Sequence, residues 1–194
     1  MGKNRLEAFS DGVLAIIITI MVLELKQPNG AYISDLTPLL PVFLGYVLSF
    51  VYVGIYWNNH HHLLHATERV SAGVLWANLH LLFWLSLFPF ATAWVGQNYA
   101  MRAPAMFYGV VLLMAAVAWY ILQCAIIARE GRDSVLASAL GRDWKGKISP
   151  AIYLIAIALA WISPGAALVL YALVACLWIV PDRRIERALS KGRN

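Results

Sequence analysis

Charge is what this sequence has least of. Only 13% of its 194 residues are Asp, Glu, Lys or Arg, and 61% are hydrophobic, too few polar side chains to cover a soluble domain of this length. The chain is read as a membrane protein. Cysteine is nearly as scarce: Cys124 and Cys176 sit singly in apolar stretches, in no CxxC or other metal spacing, and read as small lipid-buried or core residues. No Walker-type glycine loop, GxSxG elbow or HExxH motif is present, and no two carboxylates share a membrane segment in a way suited to acid–base work. An enzyme is therefore not expected. A TVGYG filter is also missing, which removes the carbonyl cage of common potassium channels.

What is present is a series of long apolar runs. Punctuation by Gln27-Pro28-Asn29-Gly30, by the charges around Glu68 and Arg69, by Gln97 to Pro104 and by Ser163-Pro164-Gly165 divides them into six helices. Their expected bounds are about 6–26, 39–61, 73–95, 105–128, 148–162 and 166–180, one channel-sized domain over 1–194. The last two runs are short for a full crossing and could form a hairpin that spans twice or is partly re-entrant. Between the fourth and fifth helices, Arg129 to Lys147 is the one long polar segment, either a short amphipathic surface helix or a solvated loop. An N-terminal signal peptide fits poorly, because Asp11 interrupts the apolar run and no A-x-A site follows.

The net charge of +5 is not a nucleic-acid signature. Every Lys and Arg except Lys26 and Arg102 falls at the N-terminus, in the second or fourth loop, or in the tail, so the positive-inside rule places both termini in the cytoplasm. The expected fold class is all-α: a polytopic membrane protein with six transmembrane helices per subunit.

The first helix carries the informative pattern. Gly12 to Leu25 is almost wholly apolar, and Asp11 at its mouth must face protein or water, because a carboxylate in lipid is costly. At about 100° per residue Arg5 and Asp11 lie about 120° apart, so Asp11 takes its partner from another helix. Gly12, Ile16, Thr19 or Ile20, and Leu23 form one face. On periodicity alone such a stripe packs against a neighbouring helix.

Arg5, Phe9, Ser10 and Asp11 match the R-x-x-x-F-S-D signature that opens the first helix in the transmembrane protein 175 family, the potassium channels of lysosomes and bacteria. Tyr56-Trp57-Asn58-Asn59-His60-His61 resembles that family's second-helix ending, and Asn78 with Pro89-Phe90-Ala91-Thr92 resembles its third helix. The specific resemblance covers about the first half of the chain, the general one nearly all of it. It implies a homotetrameric, potassium-selective channel in a bacterial inner membrane, with K+ as the permeant ion and no cofactor. Helix 1 of each subunit would line the axis, with Ile16, Ile20 and Leu23 as stacked apolar rings and Thr19 offering hydroxyls between them. Such rings close by dewetting and open by a small helix movement, with modest discrimination against sodium.

By depth, Ser10, Asp11, Trp57, His60, His61, Asn78 and His80 occupy one layer near the cytoplasmic side. They are expected to form a polar clasp that fixes helix 1 against helices 2 and 3, and a histidine member would make it pH-sensitive. His60, His61, His62 and His65 also include i, i+3 and i, i+4 spacings that suit zinc, and a lone imidazole could ligate haem. With no cysteine or HExxH nearby, no metal is expected. The alternative to a channel is a secondary transporter or proton-coupled exchanger, which needs a mid-membrane site; Pro89 is the nearest candidate for a broken helix.

Overall fold

The computed structural model is all-helical over the residues it describes, 2–67, 70–131 and 144–179. The helices are α1 (Lys3–Leu23), α2 (Leu40–His65), α3 (Ala72–Ser86), α4 (Phe88–Gln97), α5 (Arg102–Glu130), α6 (Trp144–Ala160) and α7 (Pro164–Ile179), with a 3₁₀ segment at Ile33–Leu39 leading into α2. Most of the polar segment expected over 129–147, and the basic tail beyond 179, lie outside the described residues. Four stretches are long and apolar enough to cross a membrane: Lys3–Leu23, Ile33–His65, Ala72–Gln97 and Arg102–Glu130. The final hairpin is shorter, with arms of 17 and 16 residues, or about 25 Å each.

Local signals set the helix ends. Pro41 sits in the first turn of α2, where an amide hydrogen has no intrahelical partner to lose. The Ser71 hydroxyl caps α3 by accepting the Val74 N–H at 3.3 Å. Gly131, at φ 104°, ends α5 in a conformation that side chains avoid.

The third span departs from the sequence expectation. Instead of one helix over 73–95, it breaks at Leu87 into α3 and α4, because Pro89 has no N–H to return to Leu85 and its ring crowds that carbonyl. The break is lined by Leu85, Phe88 and Ala91, all buried and apolar.

Small residues set how closely the helices approach. A Cβ on Gly96 of α4 would stand 2.9 Å from the Val42 Cα of α2. On α5, Ala115 and Ala118 are fully buried, and a Cβ on Gly109 would collide with the Tyr171 hydroxyl and with Ile157. Hydroxyls buried in this core are paired, as an apolar medium demands. Thr92 donates to Ser49 Oγ at 2.6 Å, Ser49 and Tyr108 share a bond of 2.9 Å, and the Tyr52 hydroxyl donates to the Tyr171 carbonyl at 2.6 Å. These bonds tie α2 to α4, α5 and α7, leaving α1 attached mainly through its own inner face.

Candidate functional site

That inner face is Leu6, Ser10, Leu14, Ile17 and Met21, all buried, at the i, i+4, i+8, i+11, i+15 spacing of a single stripe. The opposite face is open. Ile16 is 58% exposed, Ile20 42% and Leu23 82%, and Gly12 and Thr19 are exposed beside them. The stripe singled out from sequence is thus not used to pack α1 within its own chain. Thr19 donates its hydroxyl proton to the Ile16 carbonyl at 2.8 Å, which leaves the oxygen lone pairs free to face outward.

Near the end of the bundle that carries the N-terminus, the polar residues of α1, α2 and α3 meet. A buried chain runs through three helices: His60 Nε2 bonds Asn78 Oδ1 at 2.7 Å, Asn78 Nδ2 donates to Ser10 Oγ at 3.0 Å, and Ser10 donates to the Leu6 carbonyl at 2.9 Å. Because the Asn78 oxygen can only accept, the proton on His60 sits at Nε2. His60 Nδ1 is then the ring's bare acceptor, buried without a partner. Ser10, His60 and Asn78 are at most 1% exposed, so each bond is made in a dry setting where an unmade one is expensive.

Alongside this chain lies a second, more exposed set of contacts. Lys3 Nζ donates to the His65 carbonyl at 2.7 Å, His61 Nδ1 meets Glu7 Oε1 at 2.9 Å, and Trp57 Nε1 donates to Asp11 Oδ1 at 3.1 Å. Residues 3, 7 and 11 ascend α1 by one turn each while 65, 61 and 57 descend α2 by one turn each. The two antiparallel helices therefore meet in three rungs of a polar seam.

The structure brings together Ser10, Asp11, Trp57, His60, His61 and Asn78. His80 takes a different partner: its Nε2 accepts the Trp84 N–H of its own helix, one turn on, at 3.0 Å. Arg5 and Phe9 point away from the layer. Both are exposed, Phe9 by 49%, and they continue the open face of α1. Lys3 and Glu7 were missed from sequence, although the four-residue steps from Lys3 to Glu7 to Asp11 mirror those from Trp57 to His61 to His65. Among the described residues no group of three His, Cys, Asp or Glu side chains is arranged to hold a metal ion.

Known proteins resemble this chain in sequence and fold. A protein named a potassium channel in a Chryseobacterium species is 53% identical over 192 residues, covering 99% of this chain and 100% of its own length. The chain belongs to the TMEM175 family. The family's model, described as the endosomal/lysosomal potassium channel TMEM175, matches residues 5–89, the stretch that holds the open stripe of α1 and most of the seam. The crystal structure of a lysosomal potassium-selective channel TMEM175 homolog from Chamaesiphon minutus superimposes with a TM-score of 0.81 at 28% identity, covering 92% of this chain and 96% of that one. The human endosomal/lysosomal proton channel TMEM175 is 36% identical over 96 residues, 43% of this chain but only 19% of its own length.

Proposed function

We propose that this chain is a potassium channel subunit that acts as a homotetramer in a bacterial cell membrane, with both termini cytoplasmic and α1 lining the pore. The observation that carries the reading is the open face of α1. Ile16, Thr19, Ile20 and Leu23 stand free of their own subunit, which leaves the stripe open to lipid or to other copies of the chain; copies facing one another across an axis are the arrangement that makes a pore of it. Four such faces around an axis give stacked rings of branched apolar side chains narrow enough to exclude water. Thr19 adds oxygens whose protons are already committed to Ile16, which suits a cation better than an anion. With no carbonyl cage available, selectivity rests on the width and hydroxyl lining of this constriction, and discrimination against sodium is modest.

The seam and the buried His60–Asn78–Ser10 chain serve as the clasp that positions α1. A carrier would use the break in span three as its binding site, but the side chains at that break, Leu85, Phe88 and Ala91, are buried and apolar and offer an ion no charged or hydroxyl partner. The test is recording from purified protein in planar bilayers with potassium on one side and sodium on the other. Unitary currents reversing in favour of potassium support the proposal, whereas coupled flux without unitary events rejects it.

A further inference from the structure

We infer that Glu7 and His61 form a cytoplasmic pH latch on the pore helix, which acidification of the cytoplasm tightens and so holds the channel shut. The inference rests on the channel reading above, and begins from the difference between the three rungs of the seam. Lys3 bonds a backbone carbonyl, and Asp11 is bonded by an indole N–H; neither acceptor nor donor there gains charge near neutral pH. The middle rung pairs a carboxylate with an imidazole at 2.9 Å, and imidazole is the side chain whose charge changes in the physiological range.

The surroundings favour this pair over others. On α2, the His65 ring stacks on His61 with centroids 6.1 Å apart, and the His62 ring lies 5.7 Å away. The His61 ring is the part of this cluster's geometry that reaches α1 directly, through the Glu7 carboxylate within hydrogen-bond distance. On α1, Lys3 and Asp11 are engaged in the flanking rungs, and Arg5 is exposed on the other side of the helix. The other helices packed on α1 are α3 and α4. Neither carries a charged residue, and the one histidine between them, His80, is bonded to Trp84. His60 makes its bond within the buried chain and lies within electrostatic reach of Glu7, Asp11 and His61, but it is 1% exposed and makes no hydrogen bond to α1's carboxylates. The His61 side chain is 50% exposed, so protons reach it without any opening of the bundle.

The sign follows from the pairing. A neutral imidazole gives Glu7 a hydrogen bond; a protonated one gives it a charge-assisted bond between α1 and α2. In the latch, the pore opens as α1 moves against α2 and parts these rungs, so protonation opposes opening. An exposed ion pair biases one subunit by about threefold, and four subunits acting together compound this to nearly two orders of magnitude in open probability.

The test is potassium current in planar bilayers while the bath on the side of the termini is taken from about pH 8 to about pH 5.5, across the range in which imidazole side chains change charge. Wild type is expected to lose open probability at least tenfold, Glu7→Gln and His61→Gln to respond less than twofold, and His61→Arg to remain at low open probability throughout. A wild-type response that survives in both Gln variants, or acid that raises the current, overturns the latch. A thermal double-mutant cycle between Glu7→Gln and His61→Gln makes the test independent of conduction. Coupling between the two sites that grows on acidification supports the latch even if no current is found, and coupling that is absent or unchanged with pH overturns it.

Discussion

Asn78 of α3 donates to the Ser10 hydroxyl of α1 at 3.0 Å while its own oxygen receives the proton of His60 from α2. One side chain therefore joins three helices, and it does so with every polar atom on the path buried. Asn78→Leu keeps the volume but strands the His60 N–H and removes the donor to Ser10. Unmet buried groups cost about 1–3 kcal/mol each, so the variant should lose roughly 2–5 kcal/mol. Ser10→Ala, which strands only one Asn78 N–H, should lose about half as much. Thermal unfolding of the purified oligomer checks both, and equal losses in the two variants would argue against Asn78 as the hub.

How far this arrangement could be read from sequence depends on what each residue had to reveal. That Gly12, Ile16, Thr19, Ile20 and Leu23 share a face of α1, and that Ser10, Asp11, Trp57, His60, His61 and Asn78 share a layer, follow from helical period and from matched depth along neighbouring spans, both of which are one-dimensional properties; that the stripe is left open by its own chain does not, since period alone has it packing on a neighbouring helix. Individual pairings do not, because they depend on rotation of each helix about its axis; His80 shares the depth of Asn78 but turns toward Trp84. The break at Leu87 was signalled by Pro89, yet proline in a membrane helix can be absorbed as a bend when neighbours satisfy the freed carbonyl. Tyr171 against Gly109 was invisible, since nothing in either local sequence points across three helices.

Asp11 separates charge from hydrogen bonding. Its Oδ1 accepts the Trp57 indole proton, a role an amide oxygen can fill. Asp11→Asn should therefore keep most of the stability and the oligomer, whereas Asp11→Ala removes the acceptor of a half-exposed Trp57 N–H and should lose about 0.5–1.5 kcal/mol, the net worth of an ordinary hydrogen bond. Size-exclusion chromatography and melting of both variants decide this. If Asp11→Asn is as damaged as Asp11→Ala, the carboxylate is required for its charge and the hydrogen-bond account fails.

Gly109 offers a packing test far from α1. A Cβ there would run into the Tyr171 hydroxyl and ring edge and the Ile157 side chain, and that hydroxyl donates to the Ala105 carbonyl at 3.2 Å. Gly109→Val must push α7 away from α5 and break that bond, an overpacking cost of about 1–3 kcal/mol or more. Reduced yield of folded protein and a lowered melting temperature are expected, with unitary conductance unaltered in the channels that do assemble.

The pore assignment is decided on Ile16. It is 58% exposed in its own chain and lies one turn from Thr19, whose hydroxyl is anchored on the Ile16 carbonyl. If four Ile16 side chains form a dewetted ring, replacing each with Asn puts hydrogen-bonding groups at the narrowest point and lets water persist there. Ile16→Asn should raise basal current and loosen the preference for potassium over sodium, and Ile20→Asn or Leu23→Asn should do so in proportion to how tight each ring is. Substitution on the buried face behaves differently: Leu14→Asn places an amide among packed side chains and should reduce folded protein by the cost of burying it unpaired. The contrast matters more than either result. Bilayer recording that finds unchanged current in all three stripe variants would move the axis to another face of α1, whereas raised current at Ile16 with lost protein at Leu14 fixes which side of the helix the ions see.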